Sequence, residues 1–179
     1  MRSLGPHKHK HRWKHKNKAI AIESIQKELS RNSEILKDWK KLHMETRNRI
    51  TDIIKGKNDS LKTELLKYDY LNIGVLTNNK GLIDDILFNT AWNSAKSTGI
   101  ISEFDFETTR KLTQVYAIQE VITEKSISKI SDYYFDVDAH NMKNLDQILV
   151  QFQLRFSELT GQELLMSGLY KDALLHLKK

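Results

Sequence analysis

The sequence contains no cysteine, a single proline and only seven glycines among its 179 residues. The absence of cysteine excludes disulfides, thiolate nucleophiles and zinc sites with cysteine ligands. The shortage of proline and glycine argues against an all-β sandwich, because such a fold needs many turns. Apolar runs are also short, far below the roughly 20 residues that span a bilayer. No apolar segment of the secretory type follows the basic start, so we expect a soluble, mostly helical chain.

Positive charge is concentrated at the start of the chain. The net charge is +6, yet residues 1–18 hold seven Lys or Arg and no acidic residue, while the remaining residues hold 22 basic and 23 acidic side chains. A nearly neutral body is not expected to present a broad basic face to nucleic acid. Because its His/Lys alternation is self-repelling and almost nothing in it is apolar, we predict that residues 1–17 form a disordered tail, part of which could be an expression remnant.

Two long segments carry apolar residues at alternating steps of three and four, the heptad pattern of helices that pack side by side. The first, at about residues 18–55, has seam positions Ile22, Ile25, Leu29, Asn32, Leu36, Trp39, His43, Thr46, Ile50 and Ile53. The second, at about 138–178, has Leu145, Leu149, Phe152, Phe156, Leu159, Glu163, Met166, Tyr170, Ala173 and Leu177. We therefore predict an all-α fold: an elongated bundle with shorter helices between these two, in a single domain over residues 18–179.

The basic tail is the main candidate for binding. Its cations would attract an anionic membrane surface or a nucleic acid, and its tryptophan suits a headgroup layer or a stacked base. This candidate polyanion-binding set is Lys8, Lys10, Arg12, Trp13, Lys14, Lys16 and Lys18. Three alternating histidines in the tail also suggest Ni²⁺, Cu²⁺ or Zn²⁺. The interleaved lysines oppose cation binding, so a solvated basic tail is the preferred interpretation for His7, His9 and His11.

Two further groups of polar residues have a chemical interpretation and a structural one. Asp136, Asp138 and His140 have the alternate spacing of a weak metal loop, but helix capping is preferred, with Asp138 or Asn141 starting the final helix. The polar positions of the first seam are Asn32, His43 and Thr46, and such residues more often fix helix register than perform catalysis.

The search for established motifs finds nothing that predicts an active site. No Gly-rich phosphate loop, nucleophile elbow or His-Glu-x-x-His pair occurs, and a helix-turn-helix fails because Asp105 stands where that motif needs an apolar residue. We therefore predict no catalytic residue, no cofactor and no metal.

The middle of the chain contains a distinctive short segment. Residues 90–98 predict a compact helix with Trp92 and Ala95, closed by Gly99 just beyond its end. Asp105 is a good N-cap for a longer helix that contains Tyr116 and reaches about residue 134. The small residues and the turn indicate close packing, with the tryptophan filling the gap.

This segment resembles a pattern in uncharacterised bacterial single-pass membrane proteins, which have an N-terminal membrane helix and a helical extracytoplasmic domain. The resemblance covers residues 19–135, and Glu28-Leu29 with Asn32 is similar to the start of the family's first long helix. Where the family has its membrane helix, this chain has the basic tail. The resemblance implies a membrane-anchored location if an anchor belongs to the protein; otherwise we expect a cytoplasmic one. The residues that carry it are Thr90, Ala91, Trp92, Ala95, Gly99, Ile100, Ile101, Asp105, Phe106, Leu112, Tyr116 and Gln119.

The preferred functional hypothesis is a non-enzymatic helical scaffold or protein-interaction module, acting at a membrane surface through the tail. Its partner would be another protein or a second copy of the chain. Two alternatives stay open: a nucleic-acid-associated protein that uses the tail as an arm, and a metal-dependent binder or enzyme that uses Asp136, Asp138 and His140.

Overall fold

The computed structural model describes the backbone of residues 6–178 and the side chains of residues 15–178. Two long helices dominate it: α1 (Pro6–Ile54) and α7 (Leu145–Leu177). They lie side by side, and the described residues include no strand. The predicted all-α bundle with two long heptad-patterned helices is therefore confirmed.

The two long helices run antiparallel. Gln26 donates to the carbonyl oxygen of Leu177 at 2.6 Å, near the start of α1 and the end of α7. At the other end of the pair, Gln153 donates to the hydroxyl of Thr51 at 2.9 Å. Both heptad seams face inward, as interlocking side chains between long helices require. The largest fully buried side chains of α7 are Phe152, Phe156 and Tyr170.

Helix α1 begins at Pro6, whereas the sequence predicted a start near residue 18. Residues 1–5, and the side chains of residues 6–14, lie outside the described part of the chain. The division into a disordered tail and a helical domain therefore stays a prediction. At its other end α1 stops close to the predicted position, because Gly56 adopts the left-handed conformation (φ 64°) that ends a helix. The amides of Gly56 and Lys57 then bond back to the carbonyls of Ile53 and Asp52.

Shorter elements fill the middle of the chain. Three short helices come first, and α5 (Phe106–Glu120) then passes through a π-helical turn (Val121–Ser126) into α6 (Ile127–Tyr134). The predicted helix from Asp105 to residue 134 is therefore continuous but widened at one turn. Two 3₁₀ turns (Val137–His140 and Met142–Asn144) lead into α7. The short helices are α2 (Asp59–Leu65), α3 (Ile73–Thr77), α4 (Thr90–Ser97), α5 (Phe106–Glu120) and α6 (Ile127–Tyr134).

The predicted caps of the final helix are wrong. Helix α7 begins at Leu145, and its N-cap Asn144 makes no side-chain capping bond. Neither Asp138 nor Asn141 caps it. The capping carboxylate is Asp136, which accepts from the amide of Asp138 at 2.9 Å and starts the first 3₁₀ turn instead.

Candidate functional site

One face of α1 holds an extended segment against the bundle. We call residues 82–89, which have no regular secondary structure, the strap. Asn32 donates to the carbonyl oxygen of Phe88 at 2.7 Å and accepts from the amide of the same residue at 2.8 Å. Trp39 donates from Nε1 to the carbonyl oxygen of Asp85 at 3.2 Å. These bonds supply the backbone partners that a helix or sheet would otherwise provide.

Glu28, on the same face of α1, anchors the helix that follows the strap. Its Oε2 accepts from the amide of Ala91 at 2.7 Å, and its Oε1 lies 3.4 Å from the amide of Trp92. These are free amides in the first turn of α4, where a carboxylate is favoured by both the hydrogen bonds and the helix dipole. The N-cap residue Asn89 makes no side-chain capping bond. Glu28 therefore caps α4 from a distant part of the chain.

Tyr116 completes the environment of Glu28. Its hydroxyl donates to Glu28 Oε1 at 2.6 Å, and its ring stacks on Trp92 with centroids 5.3 Å apart and planes 1° from parallel. Burial, reinforced by the hydrogen bond to Glu28, raises the pKa of Tyr116 well above its usual value. The phenol is therefore a permanent donor that joins α5 to α1 and α4.

A second buried cluster continues from Asn32. Gln119 donates to the carbonyl oxygen of Phe88 at 3.0 Å, and its own side-chain oxygen accepts from Asn32 at 3.2 Å and from the hydroxyl of Tyr170 at 2.7 Å. Burial raises the pKa of Tyr170 above its usual value, so this hydroxyl is also a fixed donor. The cluster joins α1, the strap, α5 and α7 through a connected network.

His43 and Glu163 form a fully buried pair between α1 and α7. The Nδ1 of His43 lies 2.6 Å from Oε1 of Glu163, and its Nε2 lies 2.9 Å from the carbonyl oxygen of Leu82. A carbonyl oxygen only accepts, so Nε2 carries a proton. The contact with Glu163 needs one more proton, and the pair is neutral overall whichever atom holds it. The other oxygen of Glu163 has no partner among the described residues.

Two exposed isoleucines of the strap border an open groove. Ile83 and Ile86 are 42% and 62% exposed. The groove has a volume of about 900 Å³ and runs between the strap, α4 and the α5 segment. Its lining combines aromatic and apolar groups with a few charges: Trp39, Leu87, Trp92, Lys96, Ile101, Tyr116, Glu120 and Glu124.

The structure brings several of the residues picked out from the sequence to this region. Trp92 and Ala95 are buried on α4, and Tyr116 lies against Trp92. Gly99 adopts the left-handed conformation (φ 70°) directly after the end of α4. Asp105 lies apart from them, as the N-cap of α5, where its carboxylate accepts from the amide of Thr108 at 2.8 Å.

The segment that contains Asp136, Asp138 and His140 forms a structural turn. The Nε2 of His140 bonds to the carbonyl oxygen of Tyr134 at 2.6 Å, and Asp136 caps the turn. Within residues 15–178, no cluster of three or more His, Asp or Glu side chains is placed to hold a metal ion. His7, His9 and His11 lie outside the described side chains, as do all the predicted tail residues except Lys16 and Lys18.

Sequence reasoning missed the strap and the roles of Gln119, Tyr170 and Glu163 in the buried clusters. Part of the signal was present, because Asn32, His43 and Glu163 are buried polar residues at seam positions. The other half is mostly backbone carbonyl and amide, which no side-chain pattern reveals.

Comparison of the chain with protein families, with curated proteins and with solved structures gives no match. The resemblance to single-pass bacterial proteins therefore stays a prediction. No helix in the described part of the chain is both long enough and apolar enough to cross a membrane.

Proposed function

We propose that this protein is a non-enzymatic helical interaction module that presents the strap and its groove to a partner protein. The observation that carries the proposal is the way α1 fixes the strap. Buried polar side chains of α1 donate hydrogen bonds to the strap backbone. Ile83 and Ile86 are exposed to solvent beside the aromatic side chains that line the groove. An extended segment held rigid with apolar side chains outward loses little conformational entropy when a partner covers it.

The composition of the groove suits recognition of a polypeptide. Buried aromatic side chains at the base are typical binding hot spots, and a rim of opposite charges adds specificity. Lys96 supplies the positive charge of the rim, and Glu120 and Glu124 the negative charge.

Site-specific photo-cross-linking in cells that produce the protein tests this proposal. A photoreactive residue placed at Ile86 should give one discrete adduct, and Ile83→Asp should abolish it. The matched control is a photoreactive residue at Val137, which is 84% exposed and distant in sequence. The same adduct from Val137, or none from Ile86, would contradict the proposed surface.

We further propose that the basic tail brings this module to an anionic membrane surface. Its cations each contribute about 1 kcal/mol near such a surface. Flotation of the full chain with anionic vesicles should exceed flotation with neutral ones. The gain should disappear when Lys8, Lys10, Arg12 and Lys14 are replaced by Gln. Tight, salt-dependent binding to DNA or RNA without any preference for anionic vesicles would favour the nucleic-acid alternative instead.

A further inference from the structure

Helix α7 carries a second heptad seam on the face turned away from the core. Counting from Val150, steps of four and three reach eight positions up to Leu175. At these steps all eight positions fall on one face of a helix, as the core seam does on the other. The residues of this outer seam are Val150, Leu154, Ser157, Gly161, Leu164, Gly168, Lys171 and Leu175.

The outer seam is unusually apolar for a surface in contact with water. Leu154, Leu164 and Leu175 are 59%, 66% and 55% exposed, and the adjacent Leu165 is also exposed. The outward face of a helix in a bundle normally carries charged and polar residues. Exposed leucines that recur along one face of a helix favour a contact surface.

Two glycines of the outer seam have no explanation within the described residues. An added Cβ at Gly161 or Gly168 would meet nothing within 4 Å, and neither has a positive φ. A glycine inside a helix weakens it relative to alanine. Glycine at a helix surface does permit one thing, the close approach of a second helix.

Ion pairs and hydrogen bonds join α7 to the other helices on both sides of the outer seam, while the seam itself stays exposed to solvent. On the α5 and α6 side, Asp172 pairs with Lys111, and Glu158 pairs with Lys129. The α1 side is fastened at Thr160 and Ser167, which bond Arg47 and Lys40 at 3.1 Å each.

We propose that the outer seam of α7 pairs antiparallel with the same seam of a second copy of this chain. The twofold axis would pass between Gly161 and Leu164. Each leucine at that point then lies opposite the glycine of the other copy, and Gly168 lies opposite Ser157. At the two ends of the seam Val150 faces Leu175.

A parallel pairing fits the same residues poorly. It would set each glycine against a glycine, which leaves gaps between the intervening leucines. It would also place Lys171 against Lys171. In the antiparallel arrangement Lys171 lies against Leu154 and its long apolar stem can cover that leucine. In the antiparallel arrangement each residue of one copy faces a different residue of the other and the reverse contact repeats across the axis, which is the property of a self-complementary, twofold interface.

The dimensions of the seam set the strength of the dimer. From Val150 to Leu175 the helix rises about 37 Å, and at about 10 Å wide it offers roughly 400 Å² per copy. The total of about 800 Å² lies below that of standard stable interfaces, in the class of weak and transient contacts. We therefore expect a reversible dimer that forms at micromolar concentrations. This interface does not involve the strap, so the two proposals stand or fall separately.

Sedimentation velocity of the full chain, from about 1 to about 300 µM, tests the proposal in the range of weak dimers. The expected result is a monomer–dimer equilibrium that Leu164→Asp abolishes and Leu66→Asp leaves unchanged. Leu66 is the matched control because it is also an exposed leucine, directly after the end of α2. A monomer at every concentration, or a dimer unaffected by Leu164→Asp, would overturn the proposal. Ile86→Asp should leave the equilibrium as it is.

A double variant separates pairing from folding. Gly161→Ala with Gly168→Ala should raise the melting temperature of the dilute monomer, since alanine favours helix and has room at both positions. The same variant should weaken the dimer at least about tenfold, because the added methyl groups hold the helices apart. Equal or tighter dimerisation of this variant would contradict the close helix contact.

The orientation can be measured directly because the chain has no cysteine. Under mild oxidation, a mixture of Gly161→Cys and Leu164→Cys chains should form mixed disulfide dimers faster than Gly161→Cys chains alone. Equal rates would overturn the antiparallel arrangement.

Discussion

The strap-facing side of α1 and the outer side of α7 both reverse the usual distribution of polar and apolar residues. On α1, polar side chains such as Asn32 and His43 are buried where leucine is normal, and on α7 leucines are exposed where charge is normal. The first reversal is explained inside the chain, because the strap backbone needs hydrogen-bond partners. Nothing within the described residues explains the second. The comparison indicates that the buried polar residues of α1 serve folding, whereas the exposed leucines of α7 serve contact with another molecule.

Removing one member of the pair between α1 and α7 should have the largest effect. His43→Ala leaves the Glu163 side chain buried without its partner, and such losses cost about 3–5 kcal/mol in the free energy of unfolding. Glu163→Gln is the control, because its amide can donate to Nδ1 while Nε2 still donates to Leu82. Denaturant unfolding measures both variants. Equal destabilisation by the two would mean that the pair depends on the carboxyl group itself, because Glu163→Gln keeps the packing and the hydrogen bonds of His43.

Loss of the cap that Glu28 provides for α4 should cause the second-largest loss of stability. Glu28→Ala removes the acceptor for the amide of Ala91 and the hydroxyl of Tyr116, and a buried group left without a partner costs about 1–3 kcal/mol. Glu28→Gln should recover only part of this loss, because a carboxamide keeps one acceptor oxygen whereas both oxygens of Glu28 accept hydrogen bonds. Amide hydrogen exchange should speed up first in α4. Uniform exchange changes across the chain would contradict a role specific to that helix.

These two variants also mark how far the sequence predicts the structure. The seams were readable because burial repeats every three or four residues, and both long helices follow from it. The roles of Glu28 and His43 were not, since their partners are mainly backbone groups about 40 to 60 residues away with no side-chain signature. The cap of the final helix was misassigned because Asp136, Asp138 and Asn141 are all competent caps. Asp136 caps the first 3₁₀ turn, and α7 begins only after the second one, at Leu145.

A smaller effect, with a defined pH dependence, is expected at Asp105. Its hydrogen bonds with Thr108, first with the amide and then with the hydroxyl, hold the pKa of this carboxyl below its usual value. The stabilisation is therefore fully present above the unfolded-state pKa and is lost as the pH falls through the lower, folded-state value. Asp105→Ala should cost about 1 kcal/mol at neutral pH. The difference in the free energy of unfolding between Asp105→Ala and the natural chain should shrink only in acid. A difference that does not change with pH would exclude stabilisation by a charged cap.

The smallest expected effect tests the outer seam itself. Leu164→Ala should change the free energy of unfolding of the dilute monomer by less than about 0.5 kcal/mol, since surface substitutions rarely do more. Leu159 is fully buried on the core seam of the same helix, and Leu159→Ala should cost about 2–5 kcal/mol. Chemical denaturation over a series of protein concentrations, starting below the micromolar range in which the dimer forms, compares the two variants. If both lost the same stability even at the lowest concentration, Leu164 would be buried in the isolated chain. Only a difference between the two leucines that narrows as the concentration rises fits a surface that a second copy covers.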